Sequence, residues 1–290
     1  MGSTILVTGA TGKTGRRLIP LLVERGATVR AASRTAGPAG AGVEPVPFDW
    51  LDQRTHQVAL AGVDAVYLVS AHLSGHTADP SGAVGAFLAG IGPDVRRLVL
   101  LSSFGVDQAP PDDPLRRTEL LVEAARVPAT ILRPTAFMQN FSESHWAGLH
   151  ASIRDHGRIA MPGGTARVSY VSTQDIAAVA AHALTEDGHD GRAYALTGPE
   201  PLTLTEVAQH ISAATARQVT YVETGPGPLR DNLVAAGASE HFADYATQLF
   251  LSAVTTNAMA TVTGDITTVT GRPATTFAHY AAAAAPAWRQ

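Results

Sequence analysis

The chain has no cysteine in 290 residues. That excludes disulfides, thiol nucleophiles and cysteine-ligated zinc. It has a single lysine, Lys13, so its positive charge is almost all arginine. No basic block with interleaved aromatics occurs, which argues against nucleic acid as a partner. No apolar run is long enough to span a bilayer. The first residues enter a strand-like run at once, without the basic-then-apolar layout of a signal peptide. The expectation is a soluble, cytoplasmic protein with no membrane partner. His-Glu-x-x-His is missing and His150 and His156 have no metal-ligand spacing, so no metal site is expected.

What is present begins at Thr4. Ile5-Leu6-Val7 reads as a buried strand, and Gly9, Gly12 and Gly15 follow at three-residue spacing. Arg16 to Val23 then reads as an apolar-faced helix ending at Gly26. Strand, glycine turn and helix is how a βαβ unit offers a helix N-terminus to a pyrophosphate. The loop is Gly-x-x-Gly-x-x-Gly, and it fits neither the plain Rossmann fingerprint nor the P-loop. A tight turn without a ligand is the competing reading. The next strand, Thr28 to Arg34, ends in a basic residue. Sites for NAD carry an acid there to bind the ribose hydroxyls. Arg34 instead stands where a 2′-phosphate would lie, so the loop is read as a site for NADPH. Arg30 points to the same neighbourhood unless alternation turns it to solvent.

Strands then alternate with helices: Val43 to Phe48, 53–61, Val63 to Ser70, Ser81 to Ile91, Arg97 to Ser103, Arg116 to Ala125, Ala129 to Pro134. That order predicts an α/β fold with a Rossmann-type, doubly wound parallel sheet. Ligands bind at the carboxyl ends of such strands. Those ends are the glycine loop, Arg34, Asp49, Ser70-Ala71, Ser102-Ser103 and Pro134-Thr135. The expected division is a dinucleotide-binding domain over 1–150 and a smaller mixed α/β C-terminal substrate lobe over 151–290, with the chain free to cross between them. The smaller lobe is expected to hold a strand at Arg167 to Val171, a helix from Thr173-Gln174-Asp175 to Leu184, and a strand at Ala193 to Thr197. It also takes a helix at Glu206 to Ala214, a strand at Val219 to Val222, and helices beyond Gly227.

The motifs together resemble a family. They are Thr8-Gly9-Ala10-Thr11-Gly12-Lys13-Thr14-Gly15, Leu101-Ser102-Ser103, Thr118-Glu119, Thr130-Ile131-Leu132-Arg133-Pro134, Ala136 to Phe141, Asp175-Ile176-Ala177, Tyr194 to Pro199 and Val269 to Pro273. In this order the chain resembles the NmrA-like group of atypical short-chain dehydrogenases/reductases. It is most similar to the branch of type-2 quinone oxidoreductases and ergot-alkaloid-type reductases. The resemblance implies NADP(H) across the strand ends and a substrate cleft between the domain and the smaller lobe. Thr8, Gly9, Thr11, Gly12, Lys13, Thr14, Gly15, Arg34 and Pro134 are its candidate cofactor residues. Asp49 and Trp50 resemble an adenine-side contact, with a turn-closing Asp as the alternative. Ser70 and Ala71 lie where the family approaches the nicotinamide ribose. His72 is a substrate-side candidate or a loop histidine facing solvent. Ser102 and Ser103 lie beside the nicotinamide, where Ser102 could bond a substrate oxygen or only its own loop.

The chain departs from the classical family at the Tyr-x-x-x-Lys dyad. Its positions fall on Pro111 and Leu115, and the one lysine is already in the glycine loop. Hydride transfer does not need the dyad, because the cofactor carries that chemistry. Reduction of a simple ketone needs a proton donor, so a quinone, imine, quinone methide or natural-product intermediate is the expected acceptor. Phe104, Phe137, Met138, Asn140, Phe141 and Trp146 are substrate-side candidates that suit a flat aromatic or apolar molecule, although Met138 reads better as packing. His145 and Tyr170 are the candidate proton donors. The expected protein is a monomeric or homodimeric NADPH-dependent oxidoreductase. A non-catalytic dinucleotide sensor and a non-redox isomerase or cyclase are the alternatives.

Overall fold

The computed structural model describes residues 2–35, 37, 39–70, 79–145 and 147–289. The chain begins with β1 (Thr4–Thr8), α1 (Gly15–Glu24), β2 (Thr28–Ser33), β3 (Val43–Pro47) and α2 (Gln53–Leu60). β4 (Ala65–Val69), α3 (Ser81–Ala89), β5 (Arg97–Leu101), α4 (Pro114–Glu123) and β6 (Ala129–Pro134) follow. Next come α5 (Leu149–His156), β7 (Arg158–Met161), α6 (Thr173–Thr185), β8 (Ala193–Leu196), α7 (Leu204–Thr215) and β9 (Thr220–Glu223). The last helices are α8 (Gly227–Ala235), α9 (Glu240–Thr255), α10 (Asp265–Thr270) and α11 (Phe277–Ala284).

Two compact units result. The first comprises Met1–Pro134, Thr173–Ala195 and Thr268–Gly271; the second comprises Thr135–Ser172, Leu196–Thr267 and Arg272–Gln290. The chain thus leaves the first unit after β6, before residue 150, and re-enters it for α6 and most of β8. Sequence order had assigned α6 and β8 to the smaller lobe.

The first unit is built on a sheet of order β3-β2-β1-β4-β5-β6-β8. Its first six strands run parallel. This is the doubly wound order with its switch between β1 and β4, extended by one strand. β8 joins through Ile131 N–H, which donates to the Arg192 carbonyl at 2.9 Å. The central strands are apolar throughout, as expected of a sheet covered on both faces. Ile5, Leu6 and Val7 are wholly buried, as are Val66, Tyr67 and Leu68. α1 packs on α6, whose Ala177, Ala180 and Ala181 permit close approach, while α3 packs on α2 and α4. Pro20 lies within α1 without ending it.

The second unit has its own core, in which Phe141, Tyr170, Phe277, Tyr280 and Trp288 cluster with aliphatic side chains. β7 and β9 form a parallel pair there. The expected strand at Arg167 to Val171 is not a ladder. Among the described residues it makes only single bridges, Val168 with Leu202 and Val171 with Phe137. Its remaining backbone groups go elsewhere: Ser169 N–H donates to the Met259 carbonyl at 2.8 Å.

Candidate active site

In the first unit β1 delivers the chain into the glycine loop. Gly9 has φ +63°, and a Cβ there would press on Val69 at 3.3 Å. Gly12 N–H donates to the Gly9 carbonyl at 2.9 Å and closes the turn. A Cβ on Gly15 would overlap the Gly9 carbonyl oxygen and lie 2.9 Å from Ala10 Cα. Only a bare backbone lets α1 start this close to the loop. Thr14 stands at the N-cap without a side-chain cap bond. The amides of Thr11, Thr14 and Gly15 have no protein acceptor among the described residues. A helix start with open N–H groups and the positive end of its dipole is an anion site. Lys13 is half-buried, and its carbonyl accepts from Arg17 Nη1 at 2.8 Å. The cradle fits a dinucleotide pyrophosphate.

Several expected cofactor contacts have other partners. The Thr8 hydroxyl donates to the Tyr67 carbonyl (3.1 Å) and accepts from Val69 N–H (2.8 Å), so it clamps β1 to β4. Asp49 closes a turn: its Oδ1 accepts from Leu51 N–H at 2.9 Å, and its carbonyl accepts from the Thr55 hydroxyl at 3.1 Å. Trp50 donates Nε1–H to the Val69 carbonyl at 3.1 Å and meets Phe48 and Phe87 edge-on. Arg30 serves the end of α2, donating to the carbonyls of Val58 and Ala61, as cations do at helix C-termini. Arg34 is exposed just beyond β2, with no acid at that strand end. Ser70 is buried at the end of β4. Ala71, His72 and Trp146 lie outside the described residues.

At the end of β5, the Ser102 hydroxyl donates to Glu119 Oε1 at 2.6 Å. Glu119 is fully buried. It also accepts from Arg133 Nε at 3.0 Å and Nη2 at 2.8 Å, and from Arg116 Nη1 at 2.8 Å. Two guanidiniums and the serine hydroxyl all donate to this carboxylate, so the serine proton is committed to it. Ser102 can therefore accept from a ligand but has no proton to offer one. This corrects its expected role as a donor to substrate oxygen. The Ser103 carbonyl accepts from Val106 N–H, and Phe104 N–H donates to the Pro134 carbonyl at 2.9 Å, tying the ends of β5 and β6. The dyad positions are inert: Leu115 lies in the first turn of α4, its N–H capped by Asp113 Oδ1 at 2.9 Å. Sequence reasoning missed the Glu119 cluster. Its signal was a glutamate on the same helical face as Thr118 and Val122, both buried.

The second unit holds an apolar cavity of about 140 Å³. Phe137, Asn140, Phe141, His145 and Tyr170 all line it. Met138 does not; it is buried, with its N–H donating to the Val171 carbonyl at 2.9 Å. Met161, Gly163, Leu204, Phe250 and Met259, which come from distant stretches of sequence, complete the walls. His145 Nδ1 accepts from Ala147 N–H at 3.2 Å, so the proton of the neutral ring sits on Nε2. Tyr170 is 7% exposed, and burial pushes its hydroxyl well above the ordinary phenol range. Among the described residues no group of three or more His, Asp or Glu could hold a metal ion, and no helix is long and apolar enough to cross a membrane.

Comparison with known proteins agrees with this geometry. The model of a family described as NAD(P)H-binding matches residues 9–187. An NAD(P)H azoreductase of Xenophilus azovorans is 34% identical, over 98% of this chain and 99% of that protein. The (4-alkanoyl-5-oxo-2,5-dihydrofuran-3-yl)methyl phosphate reductase of Streptomyces griseus is 36% identical, over 98% and 99%. Among solved structures, the NADPH complex of the NADPH-dependent quinone oxidoreductase of Escherichia coli superposes with a TM-score of 0.76. It is 25% identical and covers 96% of this chain and 99% of that one.

Proposed function

The chain belongs to the NAD(P)H-binding family, and from that membership we propose that it is an NADPH-dependent oxidoreductase that passes hydride to an electrophilic small organic molecule. Quinones, imines and natural-product intermediates are the acceptor classes. The observation that carries this reading is the glycine cradle, with amides at the start of α1 that have no acceptor among the described residues.

When bound, NADPH supplies the hydride from its nicotinamide ring. The chain's own residues bind, orient and exclude water. The Gly9–Gly15 loop and the α1 N-terminus hold the pyrophosphate, and the Arg34 guanidinium takes the 2′-phosphate. Ser102, its hydroxyl donating a hydrogen bond to Glu119, offers its oxygen to a donor of the cofactor or substrate. The second unit's apolar cavity, lined by Phe137 and Phe141, suits an aromatic or apolar molecule. His145 and Tyr170, which line it, are the candidate proton donors. With no tyrosine-lysine dyad, an acceptor that needs little proton assistance is the better substrate.

The test is a binding titration with NADPH, NADP⁺, NADH and NAD⁺, followed by a panel of quinones and cyclic imines with NADPH oxidation as readout. Tight NADPH binding with turnover of any panel member is expected. Binding without turnover would favour a dinucleotide sensor, and no binding of any dinucleotide would sink the reading.

A further inference from the structure

We infer that Tyr67 is a positioning residue for the glycine cradle: on dinucleotide binding its hydroxyl donates to the Thr14 hydroxyl, which leaves the Thr14 proton for a phosphate oxygen. Tyr67 has this part only if the cradle is the dinucleotide site of the reading above. Strand register puts it beneath the loop. It pairs with Val7 of β1, just before the glycines. Val69, further along β4, is the side chain that a Cβ on Gly9 would press on. Side chains alternate across a strand. Val66 and Leu68 join the core that includes Leu60, Phe87 and Val122, from α2, α3 and α4. Tyr67 therefore faces the other side of the sheet, where α1 and α6 pack. Thr14, the N-cap of α1, is the side chain that interacts with its hydroxyl.

That hydroxyl is an unmet donor. Tyr67 is wholly buried, and its oxygen has no hydrogen-bond partner among the described residues. Thr14 is near enough to interact but does not meet it in hydrogen-bond geometry. A buried polar group left in this state is costly, and in a native fold it calls for an explanation. Enclosed as it is, the hydroxyl cannot turn to water instead. Burial also pushes the phenol above its ordinary range, so the group stays a donor.

Thr14 can answer it. Its side chain makes no cap bond, and its backbone is helical at φ −88° and ψ −45°. A helical threonine has two accessible χ1 wells, so its hydroxyl can turn. A hydroxyl carries one proton and two lone pairs. When a Thr14 lone pair takes the Tyr67 proton, the Thr14 proton is left for a phosphate held by the amides of Thr11, Thr14 and Gly15, which have no acceptor among the described residues. The phosphate then closes a chain from Tyr67 through Thr14, and the buried hydroxyl is satisfied only as the anion binds. Hydrogen bonds linked in this way strengthen one another.

Binding and stability together test this without turnover. The full chain is titrated calorimetrically with NADPH, and its cofactor-free form is melted. Tyr67→Phe keeps the ring and removes the hydroxyl. NADPH should bind roughly three- to tenfold more weakly, the net worth of one hydrogen bond. The cofactor-free chain should melt no lower than the parent, because the deleted group had no partner to lose. NADH carries the same pyrophosphate and should weaken by the same factor. Thr14→Val removes the link, so adding Tyr67→Phe to it should weaken binding no further. In a Thr14→Ser background, which keeps the hydroxyl, Tyr67→Phe should weaken NADPH as much as in the parent. Unaltered NADPH affinity in Tyr67→Phe, a lower melting temperature without cofactor, or losses that add in the Thr14→Val background would overturn the assignment and leave the dinucleotide site standing. A parent chain that binds no dinucleotide would sink the reading of the cradle itself, and the part of Tyr67 with it.

Discussion

Ser102 and Glu119 are joined by a 2.6 Å hydrogen bond in which the serine is the donor. Sixteen residues of chain separate a strand end from a helix face, and the bond decides the polarity of the strand end. The carboxylate is fully buried and shared with Arg116 and Arg133.

Removing that carboxylate takes the buried partner from two largely buried guanidiniums and leaves them only the more exposed Glu123 and Asp107. Glu119→Ala should lower the unfolding free energy by about 3 kcal/mol or more, the usual cost of breaking a buried pair from one side. Ser102→Ala should cost only about 1 kcal/mol, since it deletes one hydrogen bond and leaves both ion pairs. Urea unfolding of the two variants measures both. Similar losses would mean that the arginines do not depend on Glu119.

Gly15→Ala tests the cradle. The added methyl would overlap the Gly9 carbonyl and forces α1 away from the loop. NADPH affinity should fall more than about tenfold, equivalent to ~1.4 kcal/mol, because the helix start no longer addresses the phosphates. Fluorescence titration reads the change, and unaltered affinity would remove α1 from the binding site.

Arg34→Ala separates the two dinucleotides. A charge-assisted hydrogen bond is worth about 1.5–3 kcal/mol, so NADPH should bind at least about tenfold more weakly. NADH, without the 2′-phosphate, should be nearly unaffected. Equal weakening of both would assign Arg34 a structural part instead.

Glu206 gives a pH signature. Thr203 N–H, the Thr203 hydroxyl and Arg167 hold its carboxyl below the ordinary range, with the backbone bond the largest cause. A carboxyl depressed in the folded state stabilises above its unfolded value, about 4.3. That stability is lost as pH falls through the depressed folded value. Glu206→Gln should therefore be less stable than the parent at pH 7, with the gap closing near pH 3. Thermal unfolding at the two pH values checks this; a gap of constant size would show that the capping geometry, and not the charge, is what Glu206 contributes.

Much of the first unit was legible because its signals are short-range. The run Ile5-Leu6-Val7, the glycines after it and the apolar face of α1 each constrain their immediate neighbours, and all appear in the fold as expected. The same local reasoning misplaced β8. Its place in the seven-stranded sheet depends on Arg192 meeting Ile131, a pairing across sixty-one positions that no local pattern encodes. Arg167 to Val171 reads as a strand from its own residues, but among the described residues no neighbouring segment pairs with it for more than one bridge.

The sequence by itself determined the alternation of strands and helices, the glycine turn, the basic end of β2 and the loss of the tyrosine-lysine dyad. Each follows from backbone sterics, side-chain period or the plain identity of a residue. Only the tertiary structure decided what the polar side chains do. Thr8, Asp49, Trp50 and Ser102 all looked available to a ligand, and all have partners inside the protein. A hydrogen bond needs two groups at one place and orientation, and for Trp50 and Ser102 that is settled only when distant segments have packed.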